Sequence, residues 1–88
     1  MMYVILVYDV EQKRVAKALK VCRGYLHWVQ NSVFEGEITE GKLKELLQKI
    51  KVVINKKKDS ILLYKFEQEK AFEKEIIGQE KAPVSQII

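Results

Sequence analysis

Apolar and polar positions along the chain repeat with two different periods, and the switches between them mark out six elements. Tyr3 to Tyr8 form an unbroken apolar run rich in β-branched and aromatic side chains, which predicts a strand. Asp9, the first charge in the sequence, follows at once. In "EQKRVAKALKVCR" Val15, Ala18, Leu19 and Cys22 recur at helical spacing, and Gly24 is a natural stop. "YLHWVQNSVFEGEI" has strand composition, with the polar "QNS" at its centre marking either a hairpin turn or a bulge. "TEGKLKELLQKIKVVIN" predicts a second helix. Thr39 can cap it, and Leu43, Leu46, Leu47, Ile50 and Ile54 form an i, i+3, i+4 stripe. After a basic turn, "SILLYKF" returns to strand. The tail holds two short apolar pieces, Ile76-Ile77 and Ile87-Ile88, separated by Gly78 and the single proline, Pro83.

The order β-α-β-β-α-β is the split-βαβ, ferredoxin-like arrangement of the α+β class. Its two helices can cover only one face of a four-stranded sheet. Yet the first strand is apolar on both faces, with Tyr3, Ile5 and Val7 on one and Val4, Leu6 and Tyr8 on the other. The last strand repeats this, placing Leu62, Tyr64 and Phe66 opposite Ile61 and Leu63. Strands apolar on both sides need cover on both. The pattern therefore predicts a homodimer packed through its sheets, with two-fold symmetry as the default. Alternation also puts Asp9 on the face of Tyr3, Ile5 and Val7. If that face meets the partner, two Asp9 carboxylates approach each other near the axis.

Composition narrows the class. Eighty-eight residues make a single domain, 1–88, with a limited core. Hydrophobic residues at 48% and charged ones at 32% fit a soluble globular fold rather than a disordered chain. The lone Cys22 excludes an internal disulfide and a zinc site within one chain, which fits a reducing cytoplasm. The apolar start is too short for a membrane span and lacks the basic leader of a signal peptide, so a cytoplasmic location away from membranes is expected. A net charge of +4 and a pI near 9.2 favour an anionic partner, of which nucleic acid is the commonest. The first helix carries Lys13, Arg14, Lys17, Lys20 and Arg23 against Glu11 alone, and Lys56, Lys57 and Lys58 add a second positive spot. Such faces are either merely solvated or bind phosphates, and phosphate contacts position a duplex without reading its sequence.

Asp9 has two readings. It stands ahead of the first helix with Gln12 three residues on, close to a capping box, where its carboxylate would stabilise the helix by about 1 kcal/mol. As a metal residue it would serve Mg²⁺, which keeps several waters and takes one or two protein carboxylates plus phosphate oxygens. One aspartate per chain, doubled by symmetry, meets that need and can activate water toward a phosphodiester. His27, the only histidine, reads as a half-exposed strand residue. Trp28, Phe34, Tyr8 and Tyr64 read as core or interface, and Cys22 as inert packing. The sequence has no glycine-rich phosphate loop, no Ser/His/Asp set and no His/Cys metal cluster.

Taken together, Tyr8-Asp9, Arg14, the run Gln30, Ser32, Val33, Phe34 and Glu35, Asp59-Ser60 and the tail "IIGQEK" resemble a known pattern. It is that of the Cas-two family, the small CRISPR-associated proteins of spacer acquisition, often described as endoribonucleases. The resemblance implies a ferredoxin-like homodimer whose tail, residues 72–88, adds a strand and crosses to the partner. It implies Mg²⁺ at Asp9, with Tyr8, Arg14 and Phe34 at positions important for cleaving single-stranded RNA or double-stranded DNA. It also implies a complex with the CRISPR integrase, with prespacer duplex DNA held across the dimer. Lys13, Arg14, Lys17, Lys20, Lys56, Lys57 and Lys58 are the expected nucleic-acid contacts. One position departs from the pattern: some nuclease-active members carry an arginine two residues before the motif's glutamine, where this chain has Trp28. That departure weakens the case for cleavage and leaves the scaffold role intact, so a metal-dependent endonuclease is expected, with a catalytically inactive DNA-binding scaffold as the alternative. A small ferredoxin-like toxin ribonuclease is the third reading.

Overall fold

Six elements form where the two periods place them: β1 (Met2–Asp9), α1 (Gln12–Arg23), β2 (His27–Gln30), β3 (Val33–Ile38), α2 (Glu40–Val53) and β4 (Ser60–Phe66). The structure is a computed structural model and describes residues 1–68 and 73–81. The strands form one antiparallel sheet in the order β2-β3-β1-β4. Connectivity explains this order. Helix α1 carries the chain past a vacant slot beside β1, the tight β2–β3 turn folds β3 back into it, and α2 delivers β4 to the other edge of β1. This is the ferredoxin-like arrangement that the element order predicts.

The ambiguous "QNS" segment contains both of the features expected as alternatives. Asn31 and Ser32 make the turn, Asn31 at a φ of 42°, a left-handed conformation that asparagine tolerates well. The register shifts between Trp28 and Gln30, so a bulge precedes the turn. The Trp28 indole N–H donates to the Asn31 carbonyl at 3.0 Å and ties the two together. Thr39 caps α2 as expected, its hydroxyl accepting the Lys42 N–H at 3.2 Å.

Val4, Leu6 and Tyr8 of β1 and Phe34 and Ile38 of β3 face the helices, meeting Ala18, Cys22, Leu43, Leu46 and Ile50 in the core. Full burial of each large apolar side chain there contributes about 1.5–3 kcal/mol. Burial pushes the Cys22 thiol up to about 12, so it stays protonated at neutral pH and serves as packing.

The opposite face is different. Ile5 and Val7 are half-buried and outside the core, while Leu62 and Tyr64 are 52% and 49% exposed. Register sets Ile5 beside Tyr64, Val7 beside Leu62 and Asp9 beside Ser60. Toward the other end of this face, Glu35 opposite Ile5 forms an ion pair with Lys74. Residues 73–81 carry neither helix nor strand. The rest of the expected crossing tail, 72 and 82–88, lies outside the described residues. Among the described residues no helix is long and apolar enough to cross a membrane.

Candidate functional site

The chemistry-bearing residues converge where β1 ends and β4 begins. Asp9 is the last residue of β1 and lies opposite Ser60, the first of β4. Alternation puts its carboxylate on the helix-free face with Ile5 and Val7, exposed to solvent. Asp59, one residue before β4, is its opposite: its side chain has no exposed surface. The Asp59 carboxylate accepts four hydrogen bonds. Oδ1 takes the Glu11 backbone N–H at 3.0 Å and Arg14 Nη2 at 2.9 Å. Oδ2 takes the Asn55 backbone N–H at 2.8 Å and Arg14 Nε at 2.6 Å. The Arg14 fork thus spans both oxygens, and its Nη2 also donates to Glu11 Oε1 at 2.8 Å.

These contacts set the charge states. The hydrogen bonds from Arg14 hold the Asp59 carboxyl well below the usual carboxylate range, with the Asn55 and Glu11 amides adding to them and burial opposing. The bond to Asp59 likewise raises the Arg14 guanidinium above its already high ordinary value. Both groups remain ionised at any pH the folded protein meets near neutrality.

The same carboxylate shapes the basic turn. Asn55 Oδ1 accepts the Lys57 N–H at 2.9 Å, and the Asn55 carbonyl accepts from the Lys58 and Asp59 N–H groups at 3.0 and 2.7 Å. This side-chain-closed turn presents Lys56, Lys57 and Lys58 to solvent. On α1, Lys13, Lys17 and Lys20 are exposed at the i, i+4, i+7 spacing of one helix face. The Arg14–Asp59 contact joins the start of α1 to this turn, so Lys13 and the lysine turn both lie near the end of the sheet that carries Asp9.

One expectation is corrected here, and the other candidate residues are placed. Asp9 does not cap α1. The chain stays extended through it, the N-cap residue is Glu11, and no side chain caps that terminus from within the helix. Asp59, 48 residues along the chain, accepts the Glu11 N–H instead. Arg14, expected to meet phosphate, has its guanidinium committed to Asp59 and Glu11 and is 16% exposed. Tyr8 and Phe34 lie on the other side of the sheet from Asp9. Their rings stack at 6.1 Å between centroids beneath the helices, and Phe34 has no exposed surface. Burial raises the Tyr8 phenol, keeping it neutral. The structure therefore places Asp9 and the basic turn at the same end of the sheet and puts Tyr8 and Phe34 on its helix side. Asp59 had one local signal, as the single acid closing a lysine run directly before a strand.

Among the described residues no group of three His, Cys, Asp or Glu side chains converges to hold a metal. The donors that are present fit only a cation that keeps most of its waters. Asp9 offers one exposed, hard carboxylate per protomer, which is what Mg²⁺ accepts when phosphate and water complete its shell.

Comparison with known proteins agrees on a single family. The family model for CRISPR associated protein Cas2 matches residues 2–74. The CRISPR-associated endoribonuclease Cas2 of Dictyoglomus turgidum is 48% identical over 87 residues, covering 99% of this chain and 100% of that protein. Its counterpart from Thermotoga maritima is 51% identical over 80 residues, covering 91% and 92%. A Cas2 crystal structure superposes with a TM-score of 0.86 at 44% identity, covering 99% of this chain and 98% of that one. Streptococcus pyogenes Cas2 at pH 6.5 gives 0.66 at 36% identity, covering 73% and 83%.

Proposed function

The chain belongs to the CRISPR-associated Cas2 family, and we propose that it is a symmetric dimer that binds nucleic acid and cleaves phosphodiesters at Asp9 with Mg²⁺. In spacer acquisition the same dimer would hold a prespacer duplex and bridge units of the CRISPR integrase. The observation that carries this reading is the exposed Asp9 carboxylate at the corner shared with the lysine turn. The name endoribonuclease on its relatives supports the reaction class.

Each part of the chain has a task. The helix-free face, with Leu62 and Tyr64 exposed beside half-buried Ile5 and Val7, supplies an apolar surface for a second copy. Asp9 lies at the end of that face, so a two-fold axis through it would bring the two carboxylates together. Lys13, Lys17, Lys20 and Lys56 to Lys58 neutralise backbone phosphates and lay the strand across the corner. Asp9 would hold a Mg²⁺ ion there, which when bound would supply positive charge to a phosphate oxygen and make a bound water easier to deprotonate. Arg14 is left out of the phosphate-binding set because its Nε and Nη2 are engaged by Asp59 and Glu11 and its side chain is only 16% exposed.

A second reading, a scaffold that binds without cleaving, is favoured by Trp28. Where an arginine would reach toward substrate, its indole instead anchors the hairpin turn. Cleavage of labelled single-stranded RNA and duplex DNA, with Mg²⁺ and with chelator, by wild type and Asp9→Asn separates the two. Mg²⁺-dependent cleavage by wild type and none by Asp9→Asn, with binding retained by both, is the expected result. Binding without cleavage by wild type would leave the scaffold alone, and equal cleavage by both would remove Asp9 from the chemistry.

A further inference from the structure

Resting on the nucleic-acid-binding reading, we propose that Arg14 and Asp59 act as a positioning pair that holds the lysine turn in register with α1 and Asp9. The Arg14 donors carry the first argument. Arg14 Nε and Nη2 reach both Asp59 oxygens at 2.6 and 2.9 Å, and Nη2 also reaches Glu11 at 2.8 Å. Swinging the fork to a phosphate would strip two of the four hydrogen bonds from a carboxylate with no exposed surface. A buried charge deprived of its partner is strongly destabilising, so the swing is opposed by more than one phosphate contact returns.

Charge gives the second argument. One guanidinium sits between two carboxylates, Asp59 and Glu11, so this trio is net negative and attracts no anion. The positive field at the corner comes from Lys13 and Lys56 to Lys58. Placement gives the third. The two Asp59 oxygens hold the Glu11 N–H at the start of α1 and the Asn55 N–H at the start of the lysine turn. Asp59 is followed by Ser60, the strand neighbour of Asp9. One side chain therefore fixes the relative position of helix, turn and candidate metal residue, and Arg14 keeps that side chain ionised and oriented.

The test is duplex binding measured against salt for wild type, Arg14→Lys, Lys57→Gln and the double variant Arg14→Gln/Asp59→Asn, each first checked for cooperative unfolding. Lysine keeps the charge and would serve a phosphate well, but it cannot span both carboxylate oxygens. Arg14→Lys is therefore expected to bind several-fold more weakly with an unchanged salt slope. The double variant keeps the net charge and is expected to bind weakly, again with an unchanged slope. Lys57→Gln, a direct contact, should lower the slope by about 0.9. Arg14→Lys binding like wild type, or the double variant losing slope as Lys57→Gln does, would overturn the positioning role. Should the double variant fail to fold, Arg14→Lys decides alone. A wild-type protein that binds no duplex at low salt removes the nucleic-acid reading, and the positioning role with it.

Discussion

Asp9 and Asp59 occupy the same corner and differ in everything that decides what a carboxylate does. Asp9 is exposed, and among the described residues no hydrogen bond or ion pair engages its carboxylate. Asp59 has no exposed surface and four donors. Asp9→Ala should therefore change stability by no more than about 0.5 kcal/mol, the usual range for a surface position, because no cap is lost. Urea unfolding checks this, and a loss nearer the 0.5–2 kcal/mol of a deleted cap would restore the capping role. Asp59 gives the opposite signature. Its folded-state pKa is depressed below the unfolded value of about 3.9, so its stabilisation is complete above that pH. It is lost as pH falls below about 4 toward the folded value. Urea midpoints should thus drop in acid for the wild type, with a shallower drop for Asp59→Asn. Period-two alternation was enough to place Asp9 on its face. Asp59's role was not legible locally, because two of its donor residues, Arg14 and Glu11, stand 45 and 48 residues away.

The elements themselves were legible because each declares itself within a dozen residues. The Thr39 cap and the apolar run of β1 appear as read, and of the stripe Leu43, Leu46 and Ile50 are buried, Leu47 packs against them, and Ile54 follows the helix as its C-cap. The start of α1 did not, since its cap comes through tertiary structure. Phe34 shows how position within an element limits a role. Strand β3 aims it into the core against Tyr8, so its side chain shapes the sheet beneath Asp9 and touches nothing bound on the other face. Phe34→Ala should cost about 3–5 kcal/mol, and any loss of activity would follow from unfolding. Phe34→Leu should retain the fold and most of the binding and cleavage. A well-folded Phe34→Leu protein without cleavage would show that the ring itself reaches substrate, which its burial argues against.

At the scale of the whole molecule the sheet is covered by helices on one side only; on the other side Tyr3 and Glu35 are buried, while Leu62 and Tyr64 stay exposed toward the end that carries Asp9. Two-sided apolar strands made this visible from sequence, whereas the tail's contribution depends on residues outside those described. Light scattering should give about twice the 10.3 kDa chain mass, and Leu62→Glu, outside the core, should give a folded monomer. Shared use of Asp9 across the axis has a sharper consequence. If both carboxylates are needed for one cation, a dimer carrying Asp9→Asn in a single protomer does not cleave. Equilibrating wild type with increasing Asp9→Asn at constant total protein would then lower activity as the square of the wild-type fraction. Independent sites would lower it in direct proportion. The two curves separate most in an equal mixture, where independent sites retain half of the activity and shared sites a quarter. A linear decline, in a mixture shown to exchange subunits, would place a complete metal site within each protomer. A squared decline would tie the exposed apolar face and the aspartate at its end into one device.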